Sequence, residues 1–245
     1  MRQKNAFIRI IFLLIYISIL GACSGNALKE EKLAEAEQYF RVGMKAMERE
    51  RYELALEEFT KLETNYPFHK LTEHARLEML YAYFEQEEYA STKALAASFL
   101  TTYPLSEQLD YVLYMKGIAA FMQGFDRFVS HFNVDLSKRD IGKSEEAFAD
   151  FSRLLQQYPD SIYAADARKR MIYLRNRLAA NEIHIAEFYL RKKAYLAALN
   201  RGQYVLQNYA STRSTKAALR VMKKAYENMQ MPEKAIEVQQ ILDLN

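Results

Sequence analysis

Apolar positions in this chain form one short unbroken run near the N-terminus and, beyond it, helically spaced faces separated by recurring breaks. The run, Ile10 to Leu20 (IIFLLIYISIL), has 11 residues. As a helix it extends about 16 Å, too short to cross a hydrocarbon core of roughly 30 Å comfortably. Further on, Met171, Leu174, Leu178, Ile185 and Phe188 keep one face apolar, and no Gly or Pro interrupts 161–193. That pattern predicts a single helix of roughly 50 Å. Ala55 and Phe59 recur four apart as Ala147 and Phe151. A small residue lets two helices cross closely, and the ring one turn later fills the groove between them.

The breaks are as regular as the faces. Tyr52, Tyr89 and Tyr195 each precede another tyrosine by 14 residues, at Tyr66, Tyr103 and Tyr209. Three of the four prolines, Pro67, Pro104 and Pro159, directly follow a tyrosine. Proline cannot continue a helix and biases its predecessor out of the α region, so each Tyr-Pro ends a helix. Ser106, Ser161 and Thr212, three residues past the tyrosine, are N-cap candidates for the next helix, whereas His69 in the same place breaks the pattern. Five helix pairs are predicted: 28–50 with 52–65, 70–87 with 89–102, 106–124 with 141–157, 161–193 with 195–208, and 212–230 with 233–243. Residues 125–140 interrupt the third pair, and an insert of that length in a compact array points to function. Asp140 is placed to cap the helix after it.

Composition sharpens this to an all-α fold, since 7 Gly and 4 Pro in 245 residues fall well below the roughly 12% of average usage and leave few turns. The net charge of +3 misleads. Arg2, Lys4 and Arg9 stand in an acid-free stretch of 22 residues, and the remainder balances 31 basic against 31 acidic groups. Within that remainder, residues 23–124 hold 11 basic and 17 acidic side chains and 125–245 hold 20 and 14. The halves are therefore −6 and +6, either drift in surface composition or two binding surfaces of opposite character. A single Cys excludes internal disulfides, and four scattered His give no metal-ligand spacing. No phosphate-binding glycine loop and no nucleic-acid-binding motif is present.

The basic start and apolar run have the form of an export signal. Leu20, Gly21, Ala22 and Cys23 close it with a sequence that resembles the bacterial lipobox. The residues alone also admit a plain secretory signal with a spare Cys, or an uncleaved anchor. The lipobox resemblance implies cleavage before Cys23, a diacylglyceryl thioether on its sulfur and acylation of the new amino group. Two or three chains, at about 0.8 kcal/mol per buried CH₂, anchor a protein stably where one does not. Ser24 after the Cys implies export to the outer membrane.

The Ala, Phe and Pro offsets are similar to those of the tetratricopeptide repeat, with Gly43 where that repeat prefers a small residue and Tyr83, Tyr189 and Tyr226 where it prefers Tyr. Four further stretches are more individual: Asn65 to Phe68 (NYPF), Leu109 to Gly117 (LDYVLYMKG), Val134 to Asp140 (VDLSKRD) and Ala147 to Phe151 (AFADF). With the lipobox they resemble the tetratricopeptide-repeat lipoproteins of the outer-membrane β-barrel assembly (BAM) machinery, across about Leu28 to Leu244. Two departures stand out: Ala210 follows Tyr209 where the family repeats Pro, and His131, Phe132, Asn133 replace a common Phe, Phe, Gly.

The resemblance implies a right-handed α-solenoid of about five tetratricopeptide-like helix pairs after a lipoprotein signal peptide. Its parts are a signal peptide over 1–22, a lipidated tether over 23–27 and a repeat domain over 28–245. Residues 28–124 are expected to face substrate, 125–140 to form an inserted loop and 141–245 to face the barrel subunit BamA. The implied role is a non-catalytic scaffold on the periplasmic face of the outer membrane, with BamA, other BAM lipoproteins and unfolded outer-membrane proteins as partners. No cofactor beyond the lipid on Cys23, no metal and no nucleic acid is expected. The rivals are another envelope lipoprotein scaffold and an accessory of a cell-wall lytic enzyme. Tyr83 and Tyr114 are candidates for holding an extended peptide on a concave face, although aromatics at helical spacing are usually core. Arg201 is the candidate for a BamA carboxylate, against an internal pair with Glu233 or Glu237. Arg168, Lys169, Arg170, Arg175 and Arg177 crowd one helix, and Arg191, Lys192 and Lys193 close it, the latter group complementing the helix dipole.

Overall fold

Runs rich in Ala, Leu, Glu and Lys and free of internal proline form helices throughout the computed structural model, which describes residues 33–124 and 141–244. The signal segment, Cys23 and its tether, Asp140 and the insert 125–140 lie outside the described residues. In order the helices are α1 (33–47), α2 (Tyr52–Asn65), α3 (Lys70–Glu85), α4 (Tyr89–Thr102), α5 (Leu109–Gln123), α6 (Gly142–Gln157), α7 (Ala164–Arg191), α8 (Tyr195–Asn208), α9 (Thr215–Asn228) and α10 (Pro232–Leu244). Among the described residues there is no strand, as the all-α expectation requires. The chain divides into two units, Met1–Gln86 and Glu87–Asn245. In the first, α2 packs on α3. In the second, each helix from α4 to α10 packs on the next, and α7 also packs on α9. Those two are the first helices of successive pairs, so their contact is the stacking step of a repeat array.

The four turns between pairs share one construction. Tyr66, Tyr103, Tyr158 and Tyr209 cap α2, α4, α6 and α8, and each tyrosine carbonyl accepts the N–H three residues on, from His69 (3.0 Å), Ser106, Ser161 and Thr212 (3.1 Å each). Ala210 therefore enters the same turn as the three prolines. His69 also fits: its Nδ1 accepts the N–H of Leu71 at 3.2 Å, so the imidazole does the work of a capping hydroxyl. Ser106 and Ser161 cap a preliminary turn by accepting from the N–H of Gln108 and of Tyr163. For that reason α5 and α7 start at Leu109 and Ala164 rather than at 106 and 161. The long helix has 28 residues, about 42 Å.

Turns inside the pairs need a left-handed residue, and with few glycines available other residues supply it. Glu50, Glu87, Lys193 and Gln230 have φ of 56°, 60°, 59° and 60°, each two residues before the second helix. The chain then closes with the long Schellman bond, from Arg51 N–H to Ala46 O (2.9 Å), from Ala194 to Tyr189 (2.9 Å) and from Met231 to Tyr226 (3.0 Å). The left-handed conformation costs about 1–2 kcal/mol for such a residue, and the recovered carbonyl bond offsets part of it.

The core is made of second-helix rings set against first-helix backbone. Phe59 and Phe151 are fully buried. A Cβ on Gly43 would lie 2.4 Å from the Phe59 ring, and one on Gly117 would lie 2.8 Å from that of Phe151. Ala55, Ala147 and Ala198, one turn before the groove-filling position, have no exposed surface.

Two stability changes follow. Ala147→Leu should cost about 1–3 kcal/mol by overpacking the crossing, read as a lower midpoint in chemical denaturation. Ala210→Pro should raise stability by about 0.4–1 kcal/mol, since three equivalent turns already accept proline and the unfolded chain loses freedom; calorimetry on the two proteins measures this directly.

Candidate functional site

Three of the expected site residues are described, and they fall in separate places. Tyr83 is half-buried on α3 of the first unit. Its neighbour Tyr81 is the more exposed ring, meeting Tyr52 edge-on at 6.2 Å, and helical spacing alone did not single it out. Tyr114 and Arg201 belong to the second unit, on α5 and α8.

Tyr114 is the centre of a network that ties α5 to α7. Its ring stacks on Tyr163 at 4.7 Å with planes 19° apart, and its hydroxyl donates to Asp166 Oδ2 at 2.9 Å. Burial, followed by that carboxylate, pushes the phenol up to about 12. Asp166 is also paired with Arg170. Burial raises the Asp166 carboxyl, yet the Arg170 and Tyr114 hydrogen bonds outweigh it and hold the group below its ordinary value. Arg170 in turn lies over the Phe121 ring, 4.9 Å from its centre. At one end of the same seam the Ser161 hydroxyl donates to Asp110 Oδ2 at 2.7 Å, and at the other Arg177 donates to the Gly124 carbonyl at 2.8 Å. The Asp166–Arg170 spacing of four is a legible helix pair. The Asp110–Ser161 bond joins residues 51 apart, and no spacing rule reaches it.

Two of the individual sequence stretches, 109–117 and 147–151, meet in the third pair. Lys116 donates to Asp150 at 2.7 Å, beside the Gly117–Phe151 packing, and Lys93 bridges from α4 to Glu146 at 2.8 Å. Burial raises the Asp150 carboxyl, and the Lys116 ammonium counters it. Burial likewise lowers Lys93 against the opposing pull of Glu146. These residues orient three helices.

Arg201 reaches back to α7 rather than forward to α10. Its Nη1 donates to both oxygens of Glu182, at 3.0 and 3.3 Å. Glu233 and Glu237 are not its partners. The Glu182 hydrogen bond raises the guanidinium further. The pair is unequally placed: the Glu182 side chain is 12% exposed and that of Arg201 42%. Nη1 thus neutralises a buried carboxylate, and the guanidinium also interacts with Tyr189, while the side chain as a whole stays partly exposed. Among the described residues, no cluster of three His, Cys, Asp or Glu could hold a metal, and no helix is long and apolar enough to cross a membrane.

Comparison with known proteins matches this arrangement over nearly its whole length. Three relatives carry the name outer membrane protein assembly factor BamD. That of Vibrio cholerae is 34% identical over 95% of this chain and 96% of its own. That of Pasteurella multocida is 32% identical over 100% and 92%, and that of Neisseria gonorrhoeae 30% over 92% and 86%. A family model described as "YfiO: Outer membrane lipoprotein" matches residues 32–241, a span that covers α1 to α9, most of α10 and both tyrosine candidates, and the chain belongs to that family.

Proposed function

We propose that this protein is a scaffold of outer-membrane protein assembly, held at the outer membrane by lipid on Cys23 and facing the periplasm. Its later repeats, 141–245, engage the barrel subunit BamA, and its first repeats, 28–124, receive unfolded outer-membrane proteins. The observation that carries the reading is similarity over nearly the full length of both chains to proteins named outer membrane protein assembly factor BamD. The opposite charges of the two halves support a division between two kinds of partner. Of the two substrate candidates, Tyr114 commits its hydroxyl to Asp166, so its part in peptide binding is to shape the face with its ring. Arg201 serves BamA with the part of its fork that Glu182 leaves free.

Affinity capture from detergent-solubilised envelopes tests the central claim. The tagged chain should recover a large β-barrel protein in stoichiometric amount, and its absence would overturn the assignment. Mass spectrometry of the same preparation should find residues 1–22 removed and lipid mass on Cys23; a free thiol at that position contradicts the anchor. For Arg201, lysine is the informative replacement because it keeps a positive charge opposite Glu182 but loses the planar fork. Arg201→Lys should leave the melting temperature nearly unchanged and weaken BamA recovery several-fold. Removing the charge, in Arg201→Leu, should also cost about 1–3 kcal/mol of stability by leaving Glu182 unpaired.

A further inference from the structure

Several cations in the second unit are matched by carboxylates. Lys93, Lys116, Arg170 and Arg201 each face a carboxylate. One face of α9 departs from this, although Lys223 and Lys234 of the same helix pair have Glu227 and Glu237 as partners. Lys216, Arg220 and Lys224 stand four apart along α9, all exposed, and among the described residues no ion pair engages any of them. Like charges at that spacing repel, so the stripe is unfavourable in the protein alone. Arg220 and Lys224 line a cleft of about 530 Å³ between α7 and α9, which Arg191 and Lys193 close from the other side. Leu190 and Val221 lie along its floor, and Glu187 is the single carboxylate among its lining residues. Arg191, in the last turn of α7, complements that helix's dipole. Arg220 and Lys224 have no such role, because neither falls in the last turn of α9.

We propose that this cleft receives an extended acidic peptide segment, its apolar side chains on the floor and its alternate carboxylates against Arg220 and Lys224. The spacing matches: cations four apart on a helix are separated by about 6 Å along its axis, and alternate side chains of an extended strand by about 6.6 Å. A concave site with an apolar floor suits an alternating peptide better than a lipid surface, which meets flat or convex patches. The proposal deepens the reading of 141–245 as the partner-facing half and rests on it, but it does not involve Arg201.

The test uses the full-length lipidated chain in detergent and a fluorescein-labelled peptide of alternating Glu and Val, with a Gln-for-Glu counterpart as control. By fluorescence anisotropy the Glu peptide should bind at least about tenfold more tightly than the Gln peptide, weakening as salt is raised. Arg220→Glu with Lys224→Glu should lose about tenfold or more at unchanged melting temperature, while Arg153→Glu on α6, removing one exposed cation elsewhere, should bind as before. Should charge reversal lower the melting temperature, Arg220→Gln with Lys224→Gln replaces it. Equal binding of the two peptides, unaltered binding by the double variant, or binding only to phosphatidylglycerol vesicles overturns the proposal. Envelope capture run in parallel separates the two failures: a wild-type chain that recovers the barrel protein yet ignores the Glu peptide refutes the cleft's ligand and leaves the scaffold reading standing.

Discussion

The seating of a phenylalanine ring on bare helix backbone sets the spacing from which other features of these helix pairs follow. At Gly43 and Gly117 a methyl group would come within 2.4 and 2.8 Å of the Phe59 and Phe151 rings, closer than any real side-chain carbon sits. The two helices of the first and third pairs are therefore nearer than ordinary side chains on both would allow. Buried Ala55 and Ala147 extend the close approach by one turn. The fourth pair moves the device to a different crossing: Gly202 is on the second helix, and its missing side chain leaves room for Met222 and the Ala218 carbonyl of α9. There the close approach lies between successive pairs.

Close packing decides what the polar residues beside it do. Lys116 and Asp150 are the sequence neighbours of Gly117 and Phe151, so the ring contact brings their charges together in a place with little water. Such a pair contributes little net stability against a well-packed apolar substitute. It does penalise any slip in register, because a one-residue shift would bury both charges apart. The Tyr114, Asp166 and Arg170 network acts similarly between α5 and α7, holding two first helices together through long side chains. Much of what made the third pair's sequence individual is therefore a set of mutual constraints within the second unit.

This frames the functional surfaces. Tyr114 on α5 spends its hydroxyl on Asp166 of α7 and stacks its ring on Tyr163, so what it leaves exposed is shape. Lys216, Arg220 and Lys224 on α9 are left over after internal pairing, and what they offer is charge. In a repeat array each pair contacts mainly its neighbours, so a change on the surface of one pair leaves distant pairs undisturbed.

By itself the sequence determined the class of fold, the bounds of the second helix of each pair to within a residue and the repeat. Those depend on local facts: proline after tyrosine, helical spacing of apolar residues, a small residue at a crossing. Even the Ala210 departure was absorbed, because the tyrosine carbonyl and the residue three places on define that turn without proline. The capping role of His69 was illegible, since it depends on the imidazole turning back to the Leu71 N–H. The partner of Arg201 was also beyond reach. Glu233 and Glu237 followed it in the next pair, but Glu182, 19 residues earlier, faces it because α8 folds back along a first helix that is long enough to present a carboxylate there. Pairs within one helix, such as Asp166 with Arg170, are carried by spacing, but tertiary structure alone decided the pairs between helices, because pairing across helices depends on where two cylinders cross, and one-dimensional spacing does not carry that information.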